Sequence, residues 1–192
     1  MFTRTPWYMV PIIWAPITLY ILYRSFSQFT TVNDGSITLA TGLTLACFLF
    51  GNLIWTILEY GMHRFLFHVD FYLPDRPFFL MIHFLLHGIH HYLPGDGLRL
   101  VMPPVLFTIL QYPFTSLAHK LFPTPMANGV IAGSFTFYIL YDCMHYALHH
   151  TRLPAYIKEM KSYHLKHHYA NYELGFGVTS RLWDIVFSTE LK

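Results

Sequence analysis

Thirteen histidines stand among 192 residues, one more than lysine and arginine together. Twelve of them fall into four short clusters. These are HRFLFH (His63, His68), HFLLHGIHH (His83, His87, His90, His91), HYALHH (His145, His149, His150) and HLKHH (His164, His167, His168). Neutral imidazole is the side chain best suited to ligate Zn, Fe, Cu or Ni. At about 100° per helical residue, His87, His90 and His91 share an arc of about 100°. His164, His167 and His168 repeat the same H-x-x-H-H spacing, and His145 and His149 are i, i+4 neighbours. His63 and His68 are five apart, about 140° on an α-helix, so they are expected to straddle a metal pair rather than share one ion. Three, three, two and two give ten ligands, or five for each of two ions. Five leaves an open coordination position, as a small substrate such as dioxygen requires.

The remaining histidines read differently. His83 precedes the repeated triplet and His150 is the spare member of its cluster, so both are expected beside the ligands rather than among them. His119 stands alone and reads as an ordinary packing residue. Ligating imidazoles commonly donate their second N–H to a carboxylate or carbonyl. Glu59, four residues before His63, and Asp142, three before His145, are the candidates for that role; Asp184 and Glu173 are weaker ones.

Four apolar stretches must position these clusters: 7–23, 36–58, 100–118 and 126–141. Each approaches the roughly 20 residues that a bilayer-spanning helix needs. The chain is 54% hydrophobic and 11% charged, against about 25% charged in soluble domains. The stretch 7–23 is long and no small-residue cleavage site follows it, so it reads as a retained anchor. Four spans place residues 1–6, 59–99 and 142–192 on one side, with ten Lys and Arg, Arg152 included, against Arg24 and Lys120 on the other. That bias makes the first side cytosolic. Every clustered histidine lies there; His119 does not. The expectation is one all-α membrane domain over 1–192: four transmembrane helices and a cytosolic helical cap, 59–99 with 142–192, holding a dimetal site. A net charge of +2 gives no nucleic-acid footprint. Cys47 and Cys143 form no disulfide framework and read as small apolar residues.

With HRFLFH, HFLLHGIHHYLP, RLVMPP, YDCMHYALHH, YHLKHH and GFGVTSRLWD in view, the chain resembles the fatty acid hydroxylase superfamily of membrane di-iron enzymes. Within it, the resemblance is greatest to the sphingolipid fatty acid 2-hydroxylases, over roughly 1–190. The resemblance implies a multi-pass endoplasmic reticulum enzyme that oxygenates carbon 2 of a very-long-chain acyl group, free or N-linked in a ceramide. It implies the same ten ligands, His63, His68, His87, His90, His91, His145, His149, His164, His167 and His168. It implies two metal ions, iron in the active enzyme with zinc able to replace it, dioxygen, and electrons from cytochrome b5 and its reductase. Many relatives carry a cytochrome b5 domain marked by HPGG. No HPGG occurs here and six residues precede the first span, as in a piece of a longer protein or a relative that borrows its electrons. Lys158, Lys161 and Lys166 would suit an acidic donor.

Other readings of the histidines are a sterol or carotenoid oxidase of the same superfamily, a zinc hydrolase, and a non-catalytic metal-storage protein or metal transporter. The last wants ligands and acids within the spans, which here hold almost no acids. The loop around Tyr92 and the segment Gly175–Trp183 are expected as lids or lipid-interface anchors, or as plain packing.

Overall fold

The computed structural model describes residues 4–150 and 153–192; Arg152, counted in the charge bias, lies outside them. Every regular element among the described residues is helical. In chain order these are α1 (Met9–Val32), α2 (Ile37–Met62), α3 (Pro77–His83), α4 (Ile89–Tyr92), α5 (Pro104–Leu121), α6 (Thr124–Leu148), α7 (Ala155–Tyr169) and α8 (Leu182–Val186). Two π-turns, His63–Phe67 and Phe84–Gly88, extend α2 and join α3 to α4.

Three boundaries differ from the apolar stretches. The first helix runs past Arg24 to Val32, because Thr30 and Thr31 return their hydroxyls to the carbonyls four residues back and so add no unpaired polar group. The third begins at Pro104 rather than at residue 100. Proline biases the residue before it away from the helical region and then starts a helix well, so RLVM stays outside the helix. The fourth continues through Asp142 to Leu148, carrying His145 on the helix itself.

Two of the helical stretches, Met9–Val32 and Ile37–Phe67, are long and apolar enough to cross a membrane. Within an apolar 18-residue run of each, only 22% is buried, with Leu19 and Ile37 each 65% exposed. That is the reverse of a soluble protein's core helix, whose apolar face is covered.

The chain divides into two compact units. One comprises Tyr8–Thr56 and Pro103–Leu140. Inside it, Phe29, Ala40, Cys47 and Val130 form a buried cluster. Phe107 stacks on Tyr138 at 3.6 Å, and Trp14 meets Phe107 edge-on. Hydrogen bonds tie helix to helix: Ser25 Oγ to the Pro125 carbonyl, Asn128 Nδ2 to Gln28 Oε1 and Ser134 Oγ to the Gly51 carbonyl. Small residues let the backbones approach, the usual packing of helices in lipid. A Cβ on Gly133 would lie 2.0 Å from the Phe48 carbonyl oxygen, and one on Gly51 would lie 2.0 Å from that of Val130. Backbone cannot yield as a side chain can. Gly133→Ala is therefore expected to cost at least about 1–3 kcal/mol, read as a lower melting temperature of the detergent-solubilised protein. An unchanged melting temperature would contradict this contact.

The other unit comprises the residues up to Trp7, Ile57–Met102 and Tyr141–Lys192. It contains all twelve clustered histidines. The Thr5 amide donates to the Leu98 carbonyl, Trp7 stacks on Tyr146, and the Tyr60 hydroxyl pairs with Thr189 Oγ1.

Candidate metal centre

Ten imidazoles collect into two sets of five within the second unit. His63, His68, His87, His91 and His167 form one; His90, His145, His149, His164 and His168 form the other. Within each set the ligand nitrogens all lie within 4.8 Å of one another. The sets adjoin: the rings of His91 and His168, one from each, stack at 4.2 Å.

The partition follows from helix geometry. On α4 His90 and His91 are adjacent, and adjacent helical residues point about 100° apart. His91 joins His87 one turn back, while His90 turns to the other set. On α7 His164 and His168 pair one turn apart, and His167 crosses over. Each H-x-x-H-H triplet thus gives two ligands to one set and one to the other. His145 on α6 and His149 just beyond it stay together. His63 and His68, expected to straddle the pair, share one set. The chain leaves α2 through a π-turn closed by the His68 amide on the His63 carbonyl, and such an i to i+5 turn brings residues five apart onto one side.

The nitrogens meet face to face. His68 Nε2 lies 3.2 Å from His63 Nε2 and 3.1 Å from His167 Nε2. His164 Nε2 lies 3.0–3.1 Å from those of His145, His149 and His168. The opposite nitrogens explain why these contacts are not ordinary hydrogen bonds. His63 Nδ1 donates to the Phe176 carbonyl at 2.6 Å, and His167 Nδ1 to the Leu174 carbonyl at 2.7 Å. The Leu100 and Pro94 carbonyls lie within hydrogen-bonding reach of His145 and His149, whose Nε2 atoms face the set. With the proton on Nδ1, each Nε2 presents a lone pair. Lone pairs a little over 3 Å apart repel unless a cation lies between them, and imidazoles on a common ion at about 2.0–2.1 Å have this spacing.

Protonation does not relieve the crowding. Burial, then repulsion from neighbouring imidazoles, drives the pKa of His68 down to about 2 and that of His91 to about 3. Burial, with His150 and Lys161 nearby, takes His149 to about 4. His87, His90 and His164 are lowered by burial and by their neighbours in the same way. All are therefore neutral near pH 7, the form that binds metal. Both nitrogens of His90 are buried without a hydrogen-bond partner, a costly state for a side chain with no ion to serve. On these observations the residues present fit a pair of metal ions, five imidazoles to each.

The supporting groups differ from the expected ones. Glu59 does not receive the second N–H of His63. It accepts from the Val178 and Thr179 amides and the Thr179 hydroxyl, and the neighbouring Phe176 carbonyl takes the imidazole. Asp142 accepts from the Met102 amide, beside the Leu100 carbonyl that His145 uses. Both carboxylates sit one stretch of backbone away from the histidines. Asp184, expected to matter less, is fully buried and accepts from two amides. Glu173 is exposed.

His83 is in neither set; its Nε2 meets the Phe67 carbonyl at 2.7 Å and steadies the turn before His68. Exposed His150 returns Nδ1 to the Tyr146 carbonyl, and His119 is exposed on α5. Gly175–Val178 is buried rather than a lid, while Tyr92 is exposed. Carbonyl acceptors have no side-chain signature, which is why the sequence could not name them. Two of them nonetheless lie in RLVMPP and GFGVTSRLWD, motifs that contain no histidine.

The family model for fatty acid hydroxylases matches residues 48–189, which contain all ten imidazoles. The chain belongs to the fatty acid hydroxylase family. Among curated relatives, it is 47% identical over 191 residues to the ceramide very long chain fatty acid hydroxylase SCS7 of Saccharomyces cerevisiae, covering 98% of this chain and 47% of that one. It is 39% identical to fatty acid 2-hydroxylase of Rattus norvegicus, covering 98% and 53%. It is 42% identical to dihydroceramide fatty acyl 2-hydroxylase FAH2 of Arabidopsis thaliana, covering 97% and 74%. The chain thus spans about half the length of the first two. A solved structure described as full-length scs7p, with only the hydroxylase domain visible, superposes with a TM-score of 0.88 at 46% identity. The match covers 100% of this chain and 69% of that one.

Proposed function

We propose that the chain is a dioxygen-dependent 2-hydroxylase of long- and very-long-chain fatty acyl groups in sphingolipids, and that the ten imidazoles are its metal ligands. The observation that carries this is the pair of five-imidazole sets in a chain of this family. Relatives described as ceramide hydroxylases and fatty acyl 2-hydroxylases support the substrate and the position of attack. Two long apolar helices support a membrane setting. We place the chain in the endoplasmic reticulum membrane with four spans, α5 and α6 supplying the third and fourth, and the histidines on the cytosolic side.

When bound, a pair of redox-active metal ions supplies the activation of dioxygen; zinc has no redox chemistry, so iron is the expected metal of the working enzyme. The chain's part is to hold and orient. Carbonyls 94, 100, 174 and 176 fix four imidazoles with Nε2 turned inward. Burial keeps the ligands neutral and excludes water. Overall, one oxygen atom enters the carbon 2 C–H bond and the other leaves as water, using two electrons and two protons. We assign the electrons to cytochrome b5 and its reductase. α7 carries Lys158 and Lys166 on its exposed side, and its His164 and His167 are buried, so a donor's acidic face would be drawn to the helix that holds the site.

Cells lacking their own 2-hydroxylase, expressing this chain under 18O2, are expected to make 2-hydroxyacyl ceramides two mass units heavier. A hydroxyl oxygen derived from water, or no hydroxylated product at normal expression, would overturn the reading. Purified protein should give multiple turnovers only with cytochrome b5, its reductase and a reduced nicotinamide dinucleotide, and the rate should fall as ionic strength rises past about 0.1 M. Sustained turnover without a reductant would exclude this scheme.

A further inference from the structure

Four consecutive backbone amides, Phe176 to Thr179, end on two buried carboxylates. The Phe176 and Gly177 amides donate to Asp184 Oδ1 and Oδ2 at 3.0 and 2.8 Å. The Val178 and Thr179 amides donate to Glu59 Oε1 at 3.1 and 2.8 Å. Thr189 Oγ1 adds a bond to Asp184 Oδ1 at 2.8 Å, and Thr179 Oγ1 one to Glu59. Gly177 is required at this approach: a Cβ there would lie 2.1 Å from the Ser180 carbonyl oxygen and 2.9 Å from Asp184 Oδ2. Asp184 is 0% exposed and Glu59 4%. Buried carboxylates are costly, and apolar packing commonly serves stability as well or better. What this pair does specifically is immobilise one short segment.

That segment serves only one of the two imidazole sets. Its Leu174 and Phe176 carbonyls take the Nδ1 protons of His167 and His63, both of the first set. The second set draws on a different segment, through Pro94 and Leu100, and Asp142 holds that segment at the Met102 amide. Each set thus has its own carbonyl shelf with its own carboxylate anchorage.

We propose that Asp184, assisted by Glu59, is a positioning residue dedicated to the site of His63, His68, His87, His91 and His167. By pinning the 174–179 backbone it fixes the tautomer and aim of two imidazoles in that site and none in the other. The inference rests on the reading that each set holds one ion. If Asp184 were merely structural, its loss would loosen both sites alike.

The test is zinc retention by the purified full chain as a chelator is titrated in. Wild type should hold two zinc ions. Asp184→Asn should release one ion at about 10–100-fold lower chelator, the range for groups that orient a ligand, and the other at the wild-type concentration. In the His91→Ala background, which damages the same site, adding Asp184→Asn should change little. In the His90→Ala background it should leave neither ion tightly held. Equal weakening of both ions by Asp184→Asn, or of neither, overturns the inference. Fewer than two ions in wild type overturns instead the ligand reading beneath it. Should Asp184→Asn fail to fold, Glu59→Gln is expected to give the same one-ion shift, and the same equal or absent weakening would overturn it.

Discussion

His164→Ala is expected to lower hydroxylation by more than about 100-fold, exceeding the 10–100-fold typical of groups that merely orient a ligand. Its Nε2 is the hub of the second set, within 3.0–3.1 Å of three other ligand nitrogens. Its ring is 1% exposed, so water cannot take its place without a cavity opening. The controls are chosen by position. His150, whose Nδ1 returns to its own chain, and His119, exposed on α5, should each tolerate alanine with activity within about threefold, since surface changes are commonly within ±0.5 kcal/mol. Product formation at matched expression is the measurement. Damage from His119→Ala equal to that from His164→Ala would remove the basis for assigning the sites by geometry.

The second large effect concerns two neighbours. His90→Ala and His91→Ala should each abolish hydroxylation, because the proposed reaction uses both ions, yet each should weaken the hold on a different ion. One ligand of five is lost in either case, and the affected ion should become exchangeable at more than about 100-fold lower chelator. The other ion should stay. The double variant should lose both. Metal retention of the single and double variants decides it. If His90→Ala and His91→Ala together weakened only one ion, the division of the triplet between two sites would be wrong.

The ten imidazoles that the structure gathers were legible because clustered histidines in an apolar chain have few other uses, and because 3.6 residues per turn already placed most of them on shared faces. Their division was less legible. The triplet His87, His90 and His91 looks like one face on a helical wheel, but an arc of about 100° is wide enough to address two ions. The pairing of His63 with His68 depended on a π-turn, which no residue in HRFLF announces. Sequence spacing also misdirected the carboxylates. Glu59 four residues before His63 suggests a direct bond, yet Glu59 reaches the amides of residues 178 and 179, more than a hundred positions on. A contact of that range is set by how the unit closes, not by local periodicity. Helix ends show the same limits: apolar runs gave the existence of α1, α5 and α6, while proline stereochemistry and side-chain hydrogen bonds to the backbone set where they start and stop.

The two sets of five imidazoles are expected to hold two ions side by side. Elemental analysis of the purified, folded chain, joined to X-ray absorption at the metal edge, tests it most directly. Two metal ions per chain are expected, each with a shell of imidazole nitrogen, with a metal–metal signal from the neighbouring ion. One ion or none in folded protein, or a shell rich in sulfur or carboxylate oxygen, would contradict it.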